Sequence, residues 1–150
     1  MSTSFIDFKE RGYWISDGFV EVVSWLLYLE FEKLVGPSNW QLEMKENFYR
    51  ISQEHFPGWN SFLLDDYLVD DSHLSVFSEI IDSTISSVEK KGAVIITEEL
   101  NAINKENVSG GGRWTEDLEV SRIINLLLDI KKMIQNKGGY DLKDPVNYSW

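Results

Sequence analysis

Two histidines, one run of glycines and several pairs of acidic residues are the groups with which this chain could do chemistry. His73 follows Asp70 and Asp71, and an imidazole close to carboxylates can bind a metal ion. The same order of residues is typical of a helix N-terminus, where acidic side chains interact favourably with the helix dipole. His55 lies at the end of the apolar stripe of a predicted helix, which favours a packing role. We therefore expect no metal site.

The chain lacks the residues that usually perform nucleophilic catalysis or bind phosphate. The chain has no cysteine, which excludes disulfide bonds, thiolate catalysis and cysteine-ligated zinc. It has no G-x-S-x-G sequence, and the glycine run 110–112 is followed by Arg113 rather than by the lysine and Ser/Thr of a phosphate-binding loop. Adjacent carboxylates such as Asp65 and Asp66 point apart on a helix. The sequence predicts no catalytic residues, no cofactor and no enzymatic activity.

The negative charge is concentrated in about a quarter of the chain. The net charge is −11, with 14 Lys and Arg against 25 Asp and Glu. Between Arg50 and Lys90 there is no Lys or Arg, and the acidic residues there are Glu54, Asp65, Asp66, Asp70, Asp71, Glu79, Asp82 and Glu89. Such a field repels phosphate and attracts cations, so we expect a basic protein partner and no nucleic acid. An acidic face that only maintains solubility is the alternative.

Aromatic residues lie among these acids, in the irregular segment 58–71. The six Trp, six Tyr and eight Phe make up 13% of the chain. Aromatic residues in loops commonly anchor protein interfaces, although many pack back onto their own domain. Apolar anchors surrounded by carboxylates suit a surface that carries Arg or Lys. We predict a partner-binding segment composed of Trp59, Phe62, Asp65, Asp66, Tyr67, Asp70 and Asp71.

Five helices are predicted from capped segments with apolar periodicity. The first, about 19–35, is apolar around most of its surface, which is typical of a central helix. Its β-branched and aromatic residues also favour strands, but its length without a turn favours a helix. The second begins at Ser38, with Gln41 completing a capping box. The others are expected to begin at Asp71 or Ser72, at Thr97 and at Thr115, with residues 93–96 as an extended connector.

These elements predict a single all-α domain, residues 1–150, with irregular acidic and glycine-rich loops. The chain has no run of about 18 apolar residues and no basic segment followed by an apolar one at its start, so we expect no membrane span, no signal peptide and a cytoplasmic location. The expected core residues are Trp25, Leu29, Phe48, Phe77, Ile81, Leu126 and Ile130.

A small, acidic, cysteine-free helical chain with aromatic and aspartate-rich loops resembles the immunity proteins of bacterial polymorphic-toxin and contact-dependent-inhibition systems. The resemblance is one of overall character along the whole chain, without a shared motif. It implies a protein that neutralises a cognate toxin domain, often a basic nuclease, by covering its active site or an adjacent surface. The alternatives are a helical adaptor or homo-oligomer that associates through the apolar first helix, and an enzyme of an unrecognised type.

Overall fold

The computed structural model describes residues 2–54, 56–104, 114–144 and 147–148, and these combine helices with strands. In chain order the elements are β1 (Thr3–Phe8), β2 (Arg11–Ser16), α1 (Asp17–Phe31), α2 (Asn39–Gln53), α3 (Leu64–Tyr67), α4 (Asp71–Glu89), β3 (Val94–Ile95), α5 (Thr97–Ala102), β4 (Leu118–Glu119), α6 (Val120–Ile134) and β5 (Tyr140–Asp141). The prediction of an all-α bundle is therefore wrong. The strands form an antiparallel sheet in the order β1-β2-β5 and an antiparallel pair of β3 and β4.

The N-terminal hairpin of β1 and β2 is the main feature that the prediction missed. Ser4, Ile6 and Phe8 of β1 face the core in strict alternation. The two-residue turn is formed by Lys9 and Glu10, which have φ of 50° and 70°. Positive φ at both positions matches the right-handed twist of a hairpin but is normally supplied by Asn or Gly. Because neither residue type is present, the sequence contains no turn signal between the two strands.

Gly12 is required by the close approach of the two hairpin strands. A Cβ built on Gly12 would lie 2.1 Å from the carbonyl oxygen of Ile6, across the strand pair. That oxygen is backbone and cannot rotate away, so a larger residue would force the strands apart. The glycine therefore permits the regular pairing of β1 with β2, in which Gly12 faces Asp7.

Local capping signals set the starts of α2 and α4. The backbone N–H of Ser38 donates to the side chain of Gln41 at 2.8 Å, which confirms the predicted start of α2. The cap of α4 is Asp70, one residue before the predicted one, and its carboxylate accepts from the backbone N–H of His73 at 2.9 Å. The prediction that Thr115 begins the last helix is wrong, because β4 precedes α6. The connector before α5 is extended as predicted.

Four helices, α1, α2, α4 and α6, enclose the centre of the core with the inner face of the hairpin. Phe48 of α2 contacts Phe31 of α1 and Phe77 of α4, with ring centroids 5.9 and 6.2 Å apart. The core predictions are confirmed for Phe48, Phe77, Ile81, Leu126 and Ile130, all 0% exposed. They are wrong for Trp25, which is half-buried, and for Leu29, which is 37% exposed. None of the helices in the described ranges is long and apolar enough to cross a membrane.

Candidate protein-binding surface

A buried carboxylate joins the start of α1 to the loop before α3. Asp17, the first residue of α1, is only 3% exposed. Its Oδ2 accepts hydrogen bonds from the Ser2 hydroxyl and, at 2.9 Å, from the backbone N–H of Gly58. Its Oδ1 accepts from the Ser4 hydroxyl and, at 3.1 Å, from Asn60 Nδ2. The Ser4 hydroxyl in turn accepts from the backbone N–H of Asn60 at 3.0 Å. Together these bonds fix residues 58–60 against β1 and α1.

The same hydrogen bonds keep the Asp17 carboxylate ionised. Burial by itself raises the pKa of this carboxyl group, but the donors on Ser2, Ser4, Gly58 and Asn60 outweigh burial, and the pKa of Asp17 lies below its ordinary value. A carboxylate whose two oxygens already accept four hydrogen bonds is poorly placed to act as an acid or base on a substrate. Asp17 is therefore a structural anchor.

Trp59 lies in the segment that Asp17 anchors, and its side chain is 86% exposed. Its backbone is held on both sides, because Gly58 and Asn60 bond to Asp17 and the N–H of Trp59 donates to the carbonyl oxygen of Phe56 at 3.0 Å. Large apolar side chains normally lie inside a protein, and an exposed one on a fixed backbone is a common feature of binding surfaces. The structure therefore places this predicted anchor where a partner can reach it.

The segment 58–65 runs along β1, the edge strand of the sheet. Gly58 lies beside Thr3, where a Cβ would be 3.7 Å from its carbonyl oxygen, and Asn60 bonds to Ser4. At the other end the Asp65 carboxylate accepts from the backbone N–H of Lys9 at 3.0 Å. The strand rises about 3.3 Å per residue, so Trp59 and α3 lie at opposite ends of a stretch of about 20 Å. This span is compatible with the footprint of a protein partner.

Asp65 stabilises the hairpin turn from outside the hairpin. Its carboxylate bonds to Lys9, one of the two turn residues with positive φ. We expect Asp65→Ala to lower the free energy of unfolding by about 0.5–2 kcal/mol, the usual cost of losing a carboxylate that caps a backbone N–H. Chemical denaturation measures the change. Asp66→Ala is the matched control, since the Asp66 side chain forms no hydrogen bond or ion pair with the described residues, and equal losses in both variants would contradict this role.

The other predicted acids also differ in their surroundings. Asp70 is occupied as the cap of α4 and lies 3.9 Å from His73 Nε2. Asp66 and Asp71 are exposed, and neither pairs with a Lys or Arg of the described residues. Asp65 and Asp70 are exposed as well but each accepts a backbone hydrogen bond, so Asp66 and Asp71 are the acids of the predicted segment whose carboxylates accept no hydrogen bond from the described residues.

Tyr67, the last residue of α3, lies at the edge of the core. It is half-buried, and burial, followed by the negative charges of Glu43 and Asp66, raises its pKa, so its hydroxyl remains a donor. The carbonyl oxygen of Tyr67 is 2.6 Å from His73 Nδ1, which must carry the proton of this hydrogen bond. The His73 ring also stacks on Trp40 with 4.1 Å between centroids. His73, a residue of α4, thus contacts both α3 through Tyr67 and α2 through Trp40.

Phe62 supports the segment from beneath. It is 2% exposed and packs edge-on against Phe48, with 4.9 Å between ring centroids. A partner therefore cannot contact it directly. The exposed apolar side chains near it in sequence are Leu63 and Val69, which are 39% and 66% exposed. We define the acidic aromatic surface as Trp59, Leu63, Asp66, Tyr67, Val69 and Asp71.

The residues that organise this surface were missed by sequence reasoning. Ser4 and Asn60 belong to no recognised motif, and Asp17 lies just before the predicted start of the first helix, where an acidic residue is ordinarily a helix cap. The available signal was an acidic residue directly before an almost wholly apolar helix, because a helix of this kind is packed on most sides and a charge at its start then needs hydrogen-bond donors. The donors come from residues up to 43 positions away in sequence, so local patterns could not identify them.

Other groups able to do chemistry are sparse within the described ranges. The described residues contain no cluster of three or more His, Asp or Glu that could hold a metal ion. A groove of about 510 Å³ separates the end of α4 from the start of α6, and its lining contains two glutamates and a serine but no histidine or lysine. His55 and the glycine run 110–112 with Arg113 lie outside the described residues.

Comparisons of the chain with protein-family models, with curated proteins and with solved structures gave no match.

Proposed function

We propose that this chain is a non-catalytic protein-binding domain that acts as an immunity protein, neutralising a basic toxin domain by direct binding through the acidic aromatic surface. The observation that carries the proposal is the 86% exposure of Trp59 on a backbone held by the buried Asp17. An indole kept in water has no stabilising role in the isolated fold, and its burial by a partner would release a large apolar area.

The fixed backbone around Trp59 supports tight binding. A loop that must be ordered on association loses conformational entropy, which reduces the affinity gained from its contacts. Here the loop is already ordered by hydrogen bonds from Gly58 and Asn60 to Asp17. A rigid aromatic anchor in the centre of an interface is the usual form of a binding hot spot.

The charge of the acidic aromatic surface supports a basic partner. Of the acids between Arg50 and Lys90, Asp82 pairs with Lys131 at 2.8 Å and Glu54 pairs with Arg50 at 3.9 Å. Asp66 and Asp71 lack such a cation within the described ranges. Uncompensated carboxylates at the rim of an interface speed the association of an oppositely charged protein and select against acidic ones.

The proposal predicts that a basic toxin domain is encoded beside the gene for this chain, and the test is whether the chain binds and neutralises that domain. Trp59→Ala should raise the Kd by about 30-fold or more, because a hot-spot truncation costs about 2 kcal/mol or more. It should also abolish protection of cells that express the toxin. The double variant Asp66→Asn/Asp71→Asn should mainly slow association and flatten its salt dependence, since screening acts on exposed charges.

Controls separate binding from folding. Trp59→Ala should keep the free energy of unfolding within about 0.5 kcal/mol of the parent's, as surface substitutions usually do. Leu142→Ala, at a side chain that is 56% exposed elsewhere on the chain, should bind like the parent. A folded Trp59→Ala variant with the parent's affinity and protective effect would contradict the proposed surface.

A further inference from the structure

The side of α1 that is not buried carries mainly aromatic and aliphatic residues. The helix buries most of its residues and leaves one narrow stripe, on which Glu21, Trp25 and Tyr28 are half-buried and Leu29 is exposed. Leu29 is 37% exposed, and Trp25 does not join the buried core. A helix side that faces water normally carries polar residues. The stripe is therefore suited to contact another molecule.

Aromatic contacts continue from this stripe onto α2. The Trp25 and Tyr28 rings have centroids 5.3 Å apart, and Tyr28 is 5.0 Å from Tyr49, which is 39% exposed. Leu42 lies two turns before Tyr49 on the same side of α2 and is 42% exposed. We call Trp25, Tyr28 and Tyr49 the aromatic ladder. It crosses the groove between the two helices that make the most extensive contact in the fold.

Carboxylates lie along the aromatic ladder. The Tyr28 hydroxyl donates to Glu32, and this hydrogen bond, together with burial and the charges of Glu32 and Glu46, raises the pKa of Tyr28 to about 12. Lys45 is the cation beside the ladder, and its Nζ is 3.5 Å from Glu32. The negative faces of the rings and the nearby carboxylates therefore favour cations. A second copy of the chain, with its own net charge of −11, is disfavoured.

We infer that the aromatic ladder binds arginine side chains of a cationic protein segment, as a second surface in addition to the acidic aromatic surface. A guanidinium group can stack flat on a Trp or Tyr ring while its N–H groups donate to the neighbouring carboxylates of Glu32 and Glu46. The compact ammonium group of lysine satisfies the charge but not the stacking. The ladder is therefore selective for arginine over lysine.

The test is a titration of the full chain with peptides of nine arginines and nine lysines, followed by NMR. The arginine peptide should shift the indole N–H signal of Trp25 and saturate it, and the lysine peptide of equal charge should bind at least threefold more weakly. Trp25→Ala and Tyr49→Ala should each raise the Kd for the arginine peptide at least fivefold. Trp59→Ala should change it less than twofold, which separates this inference from the proposed function.

Two further variants are controls, one for misfolding and one for non-specific electrostatic attraction. Tyr49→Phe keeps the ring and should bind like the parent, even if Tyr49→Ala proves unstable. Val35→Ala, at a side chain that is 99% exposed, should leave the Kd unchanged. Equal Kd values for the two peptides, or a folded Trp25→Ala variant that binds like the parent, would overturn the inference. So would a parent dimer in sedimentation equilibrium that Tyr49→Ala dissociates, since the occupant would then be a second copy.

Discussion

Replacing Asp17 with alanine should lower the free energy of unfolding by about 3–5 kcal/mol, because hydrogen bonds to a buried charged group contribute about 1.5–3 kcal/mol each and do not add fully. The substitution removes the shared acceptor of Ser2, Ser4, Gly58 and Asn60 and leaves the donors of Ser4 and Asn60 buried. Denaturant unfolding measures the loss. The loop that carries Trp59 should also become mobile, which hydrogen exchange at Gly58 and Asn60 would detect.

The contribution of Asp17 should depend on pH in a defined direction. Its pKa in the folded protein lies below that of an unfolded aspartate, which is about 3.9. The stabilisation is therefore fully present above about pH 4 and is lost as the pH falls through the folded pKa. The difference in stability between the parent and Asp17→Asn should shrink as the pH is lowered from 6 to 2. A difference that is constant over this range would show that charge at Asp17 is unimportant.

Replacing Phe48 with alanine should lower the free energy of unfolding by about 3–5 kcal/mol, the usual cost of truncating a buried aromatic residue. Phe48 is fully buried and its ring contacts Phe31, Phe62 and Phe77, so the cavity would be surrounded by rigid rings that cannot close it. Because Phe62 supports the acidic aromatic surface, partner binding should weaken as well. Thermal and denaturant unfolding measure the first effect.

The conservative variant Phe48→Leu tests whether the loss arises from packing. Leucine refills most of the volume, so we expect a smaller loss than in Phe48→Ala. Tyr49→Ala is the neighbouring control, at a side chain that is 39% exposed, and its effect on stability should be small. Similar losses at Phe48 and Tyr49 would mean that the faces of α2 are misassigned.

Most helices could be predicted because their signals are local. The Ser38 and Gln41 capping box and the apolar spacing that buries Phe48 lie within one helix. The start of α6 was placed too early because Thr115 with two following acids has the pattern of a cap. Instead, the Asp117 carboxylate accepts from the backbone N–H and hydroxyl of Thr97 at the start of α5. A local pattern cannot distinguish an acid that caps its own helix from one that caps another.

The hairpin and the partial exposure of α1 could not be predicted, because both depend on contacts between residues that are far apart in sequence. The Lys9–Glu10 turn has no glycine or asparagine and is held by Asp65, 56 residues away. Trp25 and Leu29 are apolar like most of the buried positions of α1, and only the arrangement of α2, α4 and the hairpin around the helix leaves Trp25 half-buried and Leu29 exposed. Hydrophobicity alone could not separate them from the core.

The sequence by itself determined the positions of the main helices, the concentration of negative charge between Arg50 and Lys90, and the absence of cysteine chemistry, since these follow from residue type and short-range spacing. Only the tertiary structure decided which of the predicted interface residues are available. Phe62 is buried in the core, and the carboxylates of Asp65 and Asp70, although exposed, already accept hydrogen bonds from the backbone N–H groups of Lys9 and His73. Trp59 is exposed, and the exposed carboxylates of Asp66 and Asp71 accept no hydrogen bond from the described residues. The physical reason is that availability depends on which donors and apolar surfaces the folded chain brings to each side chain, and those come from far along the sequence.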